Sequence, residues 1–137
     1  MPGQPQLGDP TFGIDCTKLD VLDTGGVSNL ILEADTDFRV RTHFEISGFL
    51  ANWVSHWGPE YKVTYYYEGM GGAPEGTLAE VEAALIDDQL VYEDETTATA
   101  KLTKEGTYKL TVVVKFKFGD ITAFMEGPII QVFIKHV

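Results

Sequence analysis

Apolar and polar positions alternate along much of this chain, most cleanly between Phe38 and Ser47. There Phe38, Val40, Thr42, Phe44 and Ile46 interleave with Arg39, Arg41, His43, Glu45 and Ser47. Successive side chains of a strand point to opposite faces, so this pattern predicts a strand with one wet face. Tyr61, Val63, Tyr65 and Tyr67 alternate with Lys62, Thr64, Tyr66 and Glu68 and predict a second strand, closed by Gly69-Met-Gly-Gly72. The longest predicted strand is Thr107–Phe118. Its inner set is Tyr108, Leu110, Val112, Val114, Phe116 and Phe118, and its outer set includes Lys109, Thr111, Lys115 and Lys117. Gly119-Asp120 reads as a hairpin turn into Ile121–Met125. Gly127-Pro128 interrupts that strand, as at a bulge or an edge, and Ile129–Lys135 completes it. Thr96–Thr103 is a further strand, with Ala98, Ala100 and Leu102 on one face.

Weaker strand signals fall at Thr11–Cys16, Leu19–Asp23, Asn29–Ala34 and Leu90–Tyr92. Phe49–Gly58 reads as an irregular, aromatic-rich connection. Thr77–Asp88 carries two patterns. Thr77 and Glu80 have capping-box spacing, and Leu78, Val81 and Leu85 recur at helical intervals, so a short helix near 77–86 is expected. Val81, Ala83 and Leu85 also alternate as in a strand. Residues 1–10, with three prolines and two glycines, read as a flexible arm, and 11–137 as a single domain. Seven to nine strands with recurrent turn signals predict an all-β sandwich or barrel.

The segment Lys104-Glu-Gly-Thr-Tyr-Lys-Leu110 resembles the tyrosine corner of immunoglobulin-like sandwiches, written D-x-G-x-Y-x-C at the start of the sixth strand. Gly106 and Tyr108 match, whereas Lys104 replaces the acid and Leu110 the cysteine. The strand before it and the hairpin after it match strands E and G, and Phe38–Glu68 matches strands B and C. The resemblance implies an Ig-like, fibronectin-III-like Greek-key β-sandwich and carries no function with it. The missing cysteine pair and core Trp set the chain apart from antibody-type domains.

The net charge of -11 is unevenly spread. Val63–Ala100 holds no Lys or Arg and nine acids, which leaves 12 of the 21 acids against 10 bases elsewhere. Such a field repels nucleic acid and anionic membranes, and the acidic stretch reads as a solvated lobe. No apolar run approaches the roughly 18 residues of a membrane helix. Met1–Pro10 has neither the basic nor the apolar region of a signal peptide, so a cytoplasmic protein is expected. The lone Cys16 excludes an internal disulfide.

Little in the chain points to chemistry. His43, His56 and His136 lack metal-ligand spacing, and Cys16 has no CxxC partner. Asp35 and Asp37, and likewise Glu93-Asp94-Glu95, are too few ligands for a calcium loop and read as turn-forming or solvated acids. No nucleophile elbow, phosphate loop or dinucleotide fingerprint is present. No cofactor or metal is expected, and an enzyme would need an unrecognised carboxylate site.

Two features suggest binding instead. Strand parity places Tyr66, Val113, Ile129 and Phe133 on the outer face of neighbouring strands C, F and G. If neither the N-terminal segment nor the 77–88 helix covers them, they form an apolar interface for a protein partner or a homo-oligomer. Alternatively, Trp53, Trp57 and Tyr61 form an aromatic platform for carbohydrate or another small ligand, unless the tryptophans plug one end of the core.

Overall fold

The computed structural model describes residues 12–117 and 121–135. Two sheets face each other across an aromatic core. One is built from β1 (Gly13–Leu22), β3 (Phe38–Ser47), β6 (Val91–Tyr92) and β7 (Ala98–Ala100). The other has the order β2 (Ile31–Glu33), β9 (Thr122–Phe133), β8 (Gly106–Phe116), β4 (Glu60–Gly69), β5 (Glu75–Ala84). Strands B and E thus pair in one sheet as β3 and β7, and C, F and G are neighbours in the other as β4, β8 and β9. Among the described residues the fold is all-β with one short helix, α1 (Ala51–Trp57). The expected arm, the Gly119-Asp120 turn, Phe118 and His136 lie outside the described residues.

The inner parity of the long strands is as the alternation predicts. Phe38, Val40, Phe44 and Ile46 of β3, and Tyr108, Leu110, Val112, Val114 and Phe116 of β8, are all buried. Phe44 stacks on Tyr92 at 4.9 Å and meets Tyr61 edge-on at 5.2 Å. At the corner, the Tyr108 hydroxyl donates to the Lys104 carbonyl at 2.6 Å, the bond expected of that motif. Gly106 has φ of +153°, a region essentially restricted to glycine.

Several expectations need correction. Thr77–Asp88 forms no helix: Glu75–Ala84 is the edge strand β5, paired with β4 from Glu60↔Ala84 to Glu68↔Glu75. The register shifts between Tyr65 and Tyr66, which face Ala79 and Thr77 and leave Leu78 as an extra residue. That bulge breaks the period of two and brings Leu78 and Val81 to a spacing of three, which imitates a helix. Helix α1 lies instead in the segment expected to be irregular. Ala51 and Val54 face the core, and Gly58, at φ +73°, closes the helix by donating its N–H to the Val54 carbonyl. Thr11–Cys16 and Leu19–Asp23 are not two strands; from Gly13 onward they form β1, with its own irregularity between Cys16 and Lys18. Gly127-Pro128 marks a bulge within a continuous β9. There the missing side chain makes room for Leu19, whose Cδ2 would lie 2.2 Å from an added Cβ.

The Thr96–Thr103 strand is shortened to β7 because a 3-10 turn, Asp94–Thr96, separates it from β6. Both β6 and β7 pair with β3, leaving Thr42 opposite the interruption. The buried Thr96 hydroxyl fills the gap: it accepts the Thr42 N–H at 3.0 Å and lies 2.7 Å from the Thr42 carbonyl and 2.6 Å from that of Glu93. A side chain here replaces a missing rung of the ladder.

Two buried tyrosines provide an internal contrast. The Tyr65 hydroxyl donates to the Thr96 carbonyl at 2.6 Å, whereas the Tyr61 hydroxyl is buried without a hydrogen-bond partner. Leaving a buried donor unsatisfied costs about 1–3 kcal/mol, and a made bond contributes about 1 kcal/mol. Tyr61→Phe is therefore expected to leave stability unchanged or raise it by about 1 kcal/mol, and Tyr65→Phe to lower it by about 1–2 kcal/mol. Urea denaturation midpoints of the two variants check the difference.

Candidate functional site

The outer faces of the two sheets differ in chemistry. On the β1–β3 face, Arg41 reaches Asp20 at 3.1 Å, and Lys18 reaches Glu93 at 3.0 Å. His43 lies 3.1 Å from Glu45 through Nε2 and 3.7 Å from Glu93 through Nδ1. Lys18 holds the Glu93 carboxyl below the usual carboxylate range. The acidic tract is thus only partly a free solvated lobe, because bases from other strands meet it. On the second sheet Lys117 bonds Glu82 at 2.9 Å, lowering the Glu82 carboxyl and raising its own ammonium, while Lys62 approaches Glu80 at 3.4 Å.

The outer face of β4–β8–β9 is laced with apolar side chains. Tyr66 is 41% exposed, Ile129 53% and Phe133 39%, and Val113 is half-buried among them. Sequence reasoning missed two more. Phe124, 69% exposed, sits directly across from Val113, and Ile31 of β2 lies opposite Gln131 on the same face. Their parity depends on the bulge at Gly127-Pro128 and on a parallel pairing that no local pattern reveals. The register also shows that the expected patch is two patches. Val113 and Phe124 form a cross-strand pair with Tyr66 on the diagonal, and Ile31, Ile129 and Phe133 form a second cluster. The Lys109–Glu126 ion pair, at 3.0 Å, lies between them. Thr77–Ala84 does not cover either patch, because β5 extends the same sheet.

The tryptophans do not plug the core. Trp53 and Trp57 are 61% and 60% exposed on the outer side of α1, with ring centroids 6.2 Å apart and planes tilted by 32°. Tyr61 does not join them: it is fully buried against Phe44, Tyr92 and Phe116, because it opens the inward parity of β4. The signal for α1 was present in Gly58-Pro59, which can end a helix, and in the i, i+4 spacing of the two tryptophans.

Among the described residues, no three His, Cys, Asp or Glu side chains come together as a metal site. Asp35 adopts a left-handed turn conformation, and Asp37 pairs with Lys101 at 3.7 Å. Burial pushes the Cys16 thiol up to about 11, with Asp15 adding to the effect, so it is held as the unreactive thiol near neutral pH. A cleft of about 360 Å³ at the tyrosine-corner end is lined by the Met70–Pro74 turn and Lys104–Gly106. No described helix is long and apolar enough to cross a membrane.

No family model matches the chain, and no curated protein matches it in sequence. In fold it is similar to the CARDB domain of a Pyrococcus furiosus protein. The crystal structure of that domain in complex with di-metal ions matches with a TM-score of 0.51 at 14% identity, covering 96% of this chain and 100% of that one. Its solution NMR structure gives 0.50 at 12% identity, with 91% and 96% covered. A superoxide reductase (neelaredoxin) from Ignicoccus hospitalis gives 0.47 at 16% identity, covering 86% of this chain and 82% of that one. The CARDB likeness is one of fold, and the likeness to the reductase is too slight to argue from.

Proposed function

We propose that this domain is a non-enzymatic assembly module that docks onto a second copy of itself through the outer face of β4–β8–β9. The observation that carries the reading is the contrast between the two outer faces. Both carry ion pairs, but only the second also exposes clustered apolar side chains: Tyr66 and Phe124 beside Val113, and Ile31, Ile129 and Phe133 beyond the Lys109–Glu126 pair. Apolar side chains clustered on one sheet face mark interaction surfaces more often than scattered ones do. Size supports the reading. The four long strands β4, β5, β8 and β9, of 10 to 12 residues each and about 4.8 Å apart, cover on the order of 600 Å², approaching the roughly 800 Å² that each partner contributes to a standard interface.

Charge favours a second copy as the partner. A two-fold interface places the same patch on both sides, so the face must be complementary to itself. Here the β5 edge carries Glu75, Glu80 and Glu82, and the strands beside it carry Lys62, Lys109 and Lys115. Lys62–Glu80, Lys117–Glu82 and Lys109–Glu126 pair within one copy, which leaves Glu75 and Lys115 as the opposite charges for a two-fold stack to bring together. Amide chemical shifts followed on dilution test this. Concentration-dependent changes should centre on Tyr66, Val113, Phe124, Ile129 and Phe133. Changes confined to β1 and β3, or none at all, overturn the reading.

A further inference from the structure

A second site lies at one end of the sandwich, away from the proposed docking face. The β3–β4 connection, Gly48–Pro59, and the β5–β6 connection, Leu85–Leu90, meet there. Asp88 donates its N–H to Ser55 Oγ at 3.2 Å, Leu85 donates its N–H to the Pro59 carbonyl at 3.0 Å, and His56 pairs with Asp87 at 3.1 Å. Both tryptophans of the chain project from this end, together with exposed Phe49 and Ile86. The two indoles lie on the outer side of α1, ring centroids 6.2 Å apart. Ala51 and Val54 fill the inward side of α1 instead.

We propose that this end binds a neutral glycan chain, with Trp53 and Trp57 stacking on successive sugar rings. Two rings side by side offer flat apolar area at little rotamer cost, which suits the C–H faces of pyranoses. The surrounding polar groups suit hydroxyls: exposed Asn52 can donate and accept, and the His56–Asp87 pair presents a ring nitrogen and a carboxylate. Charge selects a neutral chain. Neither connection contains Lys or Arg, while Asp87 and Asp88 are present, so acidic polysaccharides and anionic headgroups meet repulsion and no countercharge. This site shares no residue with the β4–β8–β9 face, so either can fail without the other.

The test is tryptophan fluorescence titrated with hexasaccharides of glucan, xylan, mannan and chitin, alongside polygalacturonate and phosphatidylcholine vesicles. At least one neutral hexasaccharide should give a saturable change. Trp53→Ala and Trp57→Ala should each weaken that binding by about tenfold or more, the remaining tryptophan serving as reporter. Arg39→Glu, on the exposed face of β3, should leave it unchanged, and circular dichroism checks that each variant folds. No saturable response to any neutral hexasaccharide overturns the proposal. So does a response to vesicles or polygalacturonate alone, or binding that survives both tryptophan substitutions.

Discussion

Thr96→Val is expected to lower the unfolding free energy by about 3 kcal/mol, although it barely changes side-chain volume. The hydroxyl it removes sits where β6 and β7 fail to meet, and takes the place of a backbone rung opposite Thr42. Valine offers the Thr42 N–H no acceptor and the nearby carbonyls no donor, in a place sealed from water. An unsatisfied buried amide costs about 1–3 kcal/mol, and loss of the donated bond adds about 1 kcal/mol. In a chain of this size the melting temperature should fall by on the order of 10 °C. Thr96→Ser, which keeps the hydroxyl, should recover most of the loss. Thermal and urea unfolding of the two variants, compared with the unaltered protein, measure the effect; equal losses for Val and Ser would place it in packing rather than in the hydrogen bonds.

Gly69→Ala should be as damaging for a different reason. A Cβ on Gly69 would lie 2.3 Å from the carbonyl carbon and oxygen of Ala73, so backbone must move to admit it. Ala73 is also 3.0 Å from where a Gly106 Cβ would be. The β4–β5 turn is therefore seated against the tyrosine corner with two glycines beneath Ala73. Overpacking costs typically 1–3 kcal/mol and more where backbone must yield, so about 3 kcal/mol is expected. Gly71→Ala, in the same turn with nothing within 4 Å of its added Cβ, meets no such clash and shows only the backbone strain of its positive φ. A smaller loss for Gly71→Ala than for Gly69→Ala in urea denaturation separates contact from conformation.

Strands β3, β4 and β8 could be read from alternation alone, because each keeps an unbroken period of two with one face buried. The corner could be read because its turn requires Gly106 and Tyr108 at fixed offsets. What escaped was wherever one residue is out of step. The extra Leu78 disguised β5 as a helix, the irregularity after Cys16 split β1 in two, and the bulge at Gly127-Pro128 hid the outward parity of Phe124. Thr96 gave no local signal, since its role exists only once β3 lies beside it. The candidate face was legible as parity at Tyr66, Val113, Ile129 and Phe133. Its division by Lys109–Glu126 required the register between β8 and β9. Tyr61 stands near the tryptophans in sequence, but its place in the β4 alternation points it inward.

The most direct test of the central claim is the mass of the protein by sedimentation equilibrium, compared with that of a Val113→Glu, Phe124→Glu double variant. Both side chains lie on the solvent side of the sheet, so the variant should fold. A dimer that becomes a monomer on this substitution, and is untouched by Arg39→Glu on the opposite face, is the predicted result. A wild-type protein that stays monomeric at high concentration, or a dimer that survives the double substitution, contradicts it.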